Sequence, residues 1–135
     1  MLDKFQKTIS KQIEFKGIGL HSGLESIIKI IPADDNYGIV FKRTDLDQKN
    51  IIKANFDNVS SAMLCTTIQN NFDAKVSTVE HLLAAFYITG IDNALIEINS
   101  SEVPIMDGSS KEFVETILKA GLKEQNAKRK YIKIL

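Results

Sequence analysis

The sequence predicts an α+β fold, a two-layer sandwich in which a mixed, mainly antiparallel sheet is covered on one face by two helices. Three observations predict it. β-Branched runs with period-two alternation fill the first third of the chain, apolar stripes at helical spacing follow Ser77 and Ser109, and a short alternating segment separates the stripes. With 135 residues, 44% of them hydrophobic, the chain can bury one core without needing a disulfide or a metal in order to fold.

Ile9, Ile13 and Phe15 fall on odd positions among polar neighbours, and Ile27-Ile28-Lys29-Ile30-Ile31 follows the glycine-bracketed segment Gly17 to Gly23. Two strands joined by a loop are expected there. Pro32 to Gly38 is a turn by composition, and Ile39-Val40-Phe41 is a third strand. Ile51-Ile52, Leu64 to Ile68 and Ala74 to Val76 are further short strands. Ser77 with Glu80 fits a capping box, and Val79, Leu82, Leu83 and Phe86 give a helix over 78–89 that Gly90 stops. Asn93 to Asn99 alternates as a strand. Ser109 with Glu112 fits a second capping box, and Phe113, Val114, Ile117 and Leu118 form a stripe ending near Gly121. Tyr131, Ile132 and Ile134 alternate with lysines as a last strand.

Charge and composition exclude several classes of function. Seventeen basic residues balance seventeen acidic ones, so no global field draws the chain to nucleic acid or anionic lipid. The longest apolar stretch, Leu82 to Ile91, is about half of the roughly 20 residues a membrane span requires. A single cysteine, Cys65, and a start without a secretory leader point to the cytoplasm.

Glu80-His81 is the pair most suggestive of chemistry. First turns of helices carry free N–H groups and a positive dipole end, which favour the neutral, metal-binding form of an imidazole placed there. A carboxylate beside such an imidazole suits metal-assisted hydrolysis. The simpler reading is that Glu80 caps the helix and His81 is structural, and no H-E-x-x-H or C-x-x-C spacing decides between the two. Cys65 reads as a small core residue, Asp107 as a turn former, and His21 either as a hairpin residue or as part of a ligand-approach loop. Gly17 and Gly19 lack the Lys-Ser or Lys-Thr ending of a phosphate loop.

Four segments, taken together, resemble the amino-terminal half of the bacterial UDP-3-O-acyl-N-acetylglucosamine deacetylases, zinc enzymes of lipid A synthesis in Gram-negative bacteria. They are Gly17-Ile18-Gly19-Leu20-His21-Ser22-Gly23, Met63-Leu64-Cys65-Thr66-Thr67, Ser77-Thr78-Val79-Glu80-His81-Leu82 and Glu102-Val103-Pro104-Ile105-Met106-Asp107-Gly108-Ser109. Arg43-Thr44-Asp45-Leu46 and Gly90-Ile91-Asp92-Asn93 match in order as well. The resemblance implies that His81 is one of three zinc ligands and that Glu80 is the general base toward the attacking water. It places Met63, Leu64, Cys65 and Thr66 along the substrate cleft, with His21 near it.

The family fold has two similar domains whose helical layers face each other. Residues 1–127 would be the first domain, and 128–135 its last strand or the link to an absent second domain that holds the other zinc ligands. The implied reaction is removal of acetate from a UDP-linked, acylated glucosamine, with the 135 residues alone inactive, their zinc site incomplete and prone to self-association. The rival is a non-enzymatic binding or dimerisation domain of the same fold.

Overall fold

The computed structural model describes residues 4–135. In chain order, the odd-numbered apolar positions at the start belong to two strands, Phe5–Ile9 (β1) and Ile13–Ile18 (β2). Glu25–Pro32 (β3), Ile39–Arg43 (β4) and Ile51–Lys53 (β5) follow, then a 3-10 turn at Phe56–Asn58 and the short strands Val59–Ser61 (β6), Thr67–Gln69 (β7) and Lys75–Ser77 (β8). The helix Glu80–Thr89 (α1), the strand Ala94–Ile98 (β9), the helix Lys111–Ala120 (α2) and the strand Leu122–Lys128 (β10) complete the chain.

The main sheet has the order β2-β3-β9-β4-β5, antiparallel except for the β4–β9 pair. Register places Phe15 opposite Ile28, and Ile28 opposite Ile98. These side chains, with Ile30, Phe41, Ile52 and Ile96, are buried together with Leu82, Ala85 and Phe86 of α1 and Phe113 and Ile117 of α2. Phe113 meets Phe15 edge-on, with ring centroids 4.9 Å apart. Each such fully buried Ile or Phe contributes about 1.5–3 kcal/mol. On the opposite face Glu14, Lys29, Glu97 and Lys42 are cross-strand neighbours of alternating sign, so that face is fit for water and the helical layer covers only the other. The expected α+β class and the one-sided helical cover are what the chain adopts.

Several local expectations are corrected. No strand forms at Tyr131 to Ile134; the last strand is the polar β10, antiparallel to β1. It is held by more than its ladder. Gln125 accepts from Asn93 Nδ2 at 2.8 Å and donates to the Ala33 carbonyl at 2.8 Å, while Arg129 grips Asp92 at 2.7 Å just beyond the strand. The expected strand from Leu64 begins only at Thr67, because Leu64 sits at φ 62, a left-handed conformation incompatible with a ladder.

Neither capping box forms. Ser77 is absorbed into β8, its hydroxyl paired with that of Thr67 at 2.9 Å, and α1 starts from Val79 without a side-chain cap. Ser110 rather than Ser109 stands at the N-cap of α2, also without a side-chain cap. Leu118 leaves the predicted stripe and faces solvent. Gly90 ends α1 as expected: at φ 80 its N–H and that of Ile91 satisfy the last free carbonyls, including Phe86 O at 2.9 Å from both.

Candidate active site

The β7–β8 ribbon delivers the chain to the start of α1 through a tight corner. Thr78 there has φ 57, a conformation that costs a β-branched residue on the order of 1–3 kcal/mol and persists only where surrounding bonds enforce it. The enforcing group is Glu102. Only 2% exposed, its carboxylate accepts from Thr78 Oγ1 at 2.8 Å, from the Ser22 N–H at 2.7 Å and from the His21 N–H at 3.0 Å. An isolated bridge between Ser77 and Glu102, with the Ser77 N–H on Ser101 O and the Val103 N–H on Ser77 O, fixes the segment alongside. Gly19 permits the approach: a Cβ there would stand 2.5 Å from Glu102 Oε2 and 2.2 Å from Ser22 Oγ.

Beyond the corner, Glu80 and His81 form the first turn of α1, both half-buried. Glu80 does not cap its own helix. Its Oε2 accepts from the Thr66 N–H at 3.2 Å, while the Val79 N–H lies 3.4 Å from Thr66 O, so the Met63–Thr66 loop is attached to the helix start on both sides of one residue. Of the predicted cleft residues, Thr66 and Cys65 are half-buried, and Met63 and Leu64 stand 82% and 88% exposed. The His81 carbonyl accepts from Ser110 Oγ at 2.7 Å, which puts the start of α2 against the same turn. Asp107 is folded into its own turn, its Oδ1 accepting from the Ser109 hydroxyl and N–H. Those bonds hold its carboxyl below the usual range.

The structure therefore joins Glu80 to Thr66 directly and reaches His21 through Glu102 and Thr78. Reading the residues individually missed the last two. Both lie in segments that resembled the deacetylases, Thr78 in Ser77 to Leu82 and Glu102 in Glu102 to Ser109, and that resemblance was the available signal.

Burial opposes the Glu102 charge, yet the His21 and Ser22 N–H groups and the Thr78 hydroxyl outweigh it and hold this carboxyl below the usual glutamate range. A depressed folded-state value contributes stability that is complete above the unfolded value and is lost as pH falls through the folded one. Denaturation midpoints are expected to drop below about pH 4, and to drop less steeply in Glu102→Gln. Parallel profiles would contradict this linkage.

Zinc at a catalytic site takes three protein ligands. Among the described residues no three His, Cys, Asp or Glu side chains gather where a metal could sit. His81 offers one imidazole with a carboxylate next to it in sequence, so the described residues fit a share of such a site and not the whole of one. No helix among the described residues is long and apolar enough to cross a membrane.

Comparison with known proteins gives the family. The family model described as UDP-3-O-acyl N-acetylglycosamine deacetylase (LpxC) matches residues 6–135. A UDP-3-O-acyl-N-acetylglucosamine deacetylase of Shewanella frigidimarina is 47% identical over 131 residues, which cover 97% of this chain and 43% of that protein. One from Legionella pneumophila is 48% identical over 130 residues, 96% of this chain and 42% of that protein. The chain thus spans less than half the length of these curated relatives, and over nearly all of its own length it belongs to the UDP-3-O-acyl N-acetylglycosamine deacetylase family.

Proposed function

We propose that this chain is the amino-terminal half of a zinc-dependent deacetylase that hydrolyses the acetamide of a UDP-linked, 3-O-acylated N-acetylglucosamine in the cytoplasm. The observation that carries the reading is the start of α1, where Glu80 is bonded to the Thr66 loop and followed directly by His81. His81 would hold one position of the metal, and a second domain would provide the rest. When bound, zinc would supply Lewis acidity and acidify the attacking water.

Glu80 would accept a proton from the attacking water as it adds to the amide carbon; when the C–N bond breaks, acetate is released and the amine would take its proton from a general acid of the second domain. The Thr66 N–H steadies the Glu80 carboxylate in the place where it must act. Met63 and Leu64, exposed in the loop that Thr66 ties to Glu80, would be apolar walls for the substrate, with His21, held by Glu102, near it. Residues 1–127 are the first domain, with 128–135 leading towards the second.

The outer side of α1 supports the same division. Tyr87 and Ile88 are 90% and 65% exposed, and Leu118 of α2 is exposed too. Apolar groups on two helices suit the interior of a larger protein better than water. In isolation the 135 residues would self-associate through this layer, which sedimentation at rising concentration would reveal. A strict monomer would argue against it.

The test of function is acetate release from UDP-3-O-acyl-N-acetylglucosamine by two proteins. One is the 135-residue chain alone; the other is its fusion to the carboxy-terminal part of the Shewanella frigidimarina relative. The fusion is expected to turn over and the chain alone is not. A zinc-loaded, folded fusion without activity would leave the rival, a binding or dimerisation domain, as the better account.

A further inference from the structure

We propose that Glu102 is a positioning residue of the deacetylase, coupling the His21–Ser22 turn to the Thr78 corner from which Glu80 and His81 project. The inference rests on the function proposed above. Three elements distant in sequence meet at this one carboxylate: the β2–β3 turn, the β8–α1 corner and the segment after β9. A buried acid is expensive unless every lone pair finds a donor, and here the donors are two backbone N–H groups and a hydroxyl.

The geometry is unlike an ordinary structural clamp in one respect. Glu102 bonds neither the core nor a helix cap; it bonds the residue held in left-handed backbone two positions before Glu80. With the Thr78 hydroxyl released, this buried side chain loses its hydrogen bond to Glu102 and keeps only packing to oppose relaxation of the corner. Such relaxation would rotate the first turn of α1, and with it Glu80 and His81, relative to the Thr66 loop. On the other side, the same carboxylate oxygens fix where the His21 turn stands. Substrate-side and metal-side groups therefore share a single reference point.

The experiment separates the two arms of this coupling. In the fusion, Thr78→Val keeps the β-branched shape and deletes the hydroxyl, while Thr78→Ser keeps the hydroxyl. Thr78→Val is expected to lower kcat on the order of 10- to 100-fold with KM within about twofold, and Thr78→Ser to retain most of the rate. Glu102→Ala should lower kcat and raise KM together, because it frees the His21 turn as well. Where Glu102→Ala fails to fold, the Thr78 pair decides.

A second readout needs no activity. In the 135-residue chain, Thr78→Val should shift the amide resonances of His21 and Ser22, which share the Glu102 carboxylate with Thr78, along with those of Glu80 to Leu82. Equal kcat for Thr78→Val and Thr78→Ser, or unmoved His21 and Ser22 amides, overturns the coupling. An inactive wild-type fusion with shifted amides counts instead against the deacetylase reading.

Discussion

In the two-domain fusion, Glu80→Gln is expected to lower kcat on the order of 10²- to 10⁴-fold while zinc content stays near that of the parent. The reason is chemical and local. A carboxamide cannot accept the proton that the attacking water must lose, yet it offers an oxygen of nearly the same size and position to the Thr66 N–H. Because Glu80 bonds to Thr66 and not to its own helix, the substitution leaves the capping of α1 untouched. It should cost about 1 kcal/mol of stability or less. Glu80→Ala is the less informative change, since it would also release the Met63–Thr66 loop. Turnover retained in Glu80→Gln would remove Glu80 from the role of base.

The parts of the fold that were legible in the sequence are those fixed by burial on one face. Ile28 and Ile30 alternate with Lys29, and Ile96 and Ile98 with Glu97, because the sheet has one dry side and one wet side. Leu82 and Phe86 recur at helical spacing for the same reason, and Gly90 marks the stop because the αL position there favours glycine.

What was illegible is fixed by partners far away in the chain. Leu122 to Lys128 has no apolar alternation, and it is a strand because β1 offers a free edge and Asn93 and Ala33 bind Gln125. Tyr131, Ile132 and Ile134 do alternate, but the last strand among the described residues ends at Lys128, and alternation alone does not make a strand.

The candidate site divides along the same line. Glu80 and His81 were visible as neighbours at a helix start, and the family resemblance added the Met63–Thr66 loop. Both Ser77 and Ser109 resembled capping-box serines; the Ser77 hydroxyl pairs instead with Thr67, whereas Ser109 Oγ donates to Asp107 and accepts from the Lys111 N–H at the start of α2 without the reciprocal bond to Glu112. Thr78 and Glu102 escaped because a left-handed threonine and its buried acceptor are separated by 24 residues, and no local rule links them.

Zinc retention should respond most sharply if the site is divided, as proposed, between this chain and a second domain. One imidazole cannot hold the ion at the affinity of a catalytic centre, which rests on ligand number and on geometry braced by surrounding bonds. After exhaustive dialysis the wild-type fusion is expected to keep roughly one zinc per chain, and His81→Ala in the fusion to lose nearly all of it together with activity.

The 135-residue chain alone should keep only a small fraction, and His81→Ala should abolish that remainder. Metal content by atomic absorption across these four proteins tests the central claim most directly, that this chain contributes His81 as a partial ligand set. Stoichiometric zinc in the fusion, dependent on His81, with little in the isolated chain, is the predicted result. Tight zinc in the isolated chain that survives His81→Ala but is lost with Cys65→Ser or His21→Ala would contradict it.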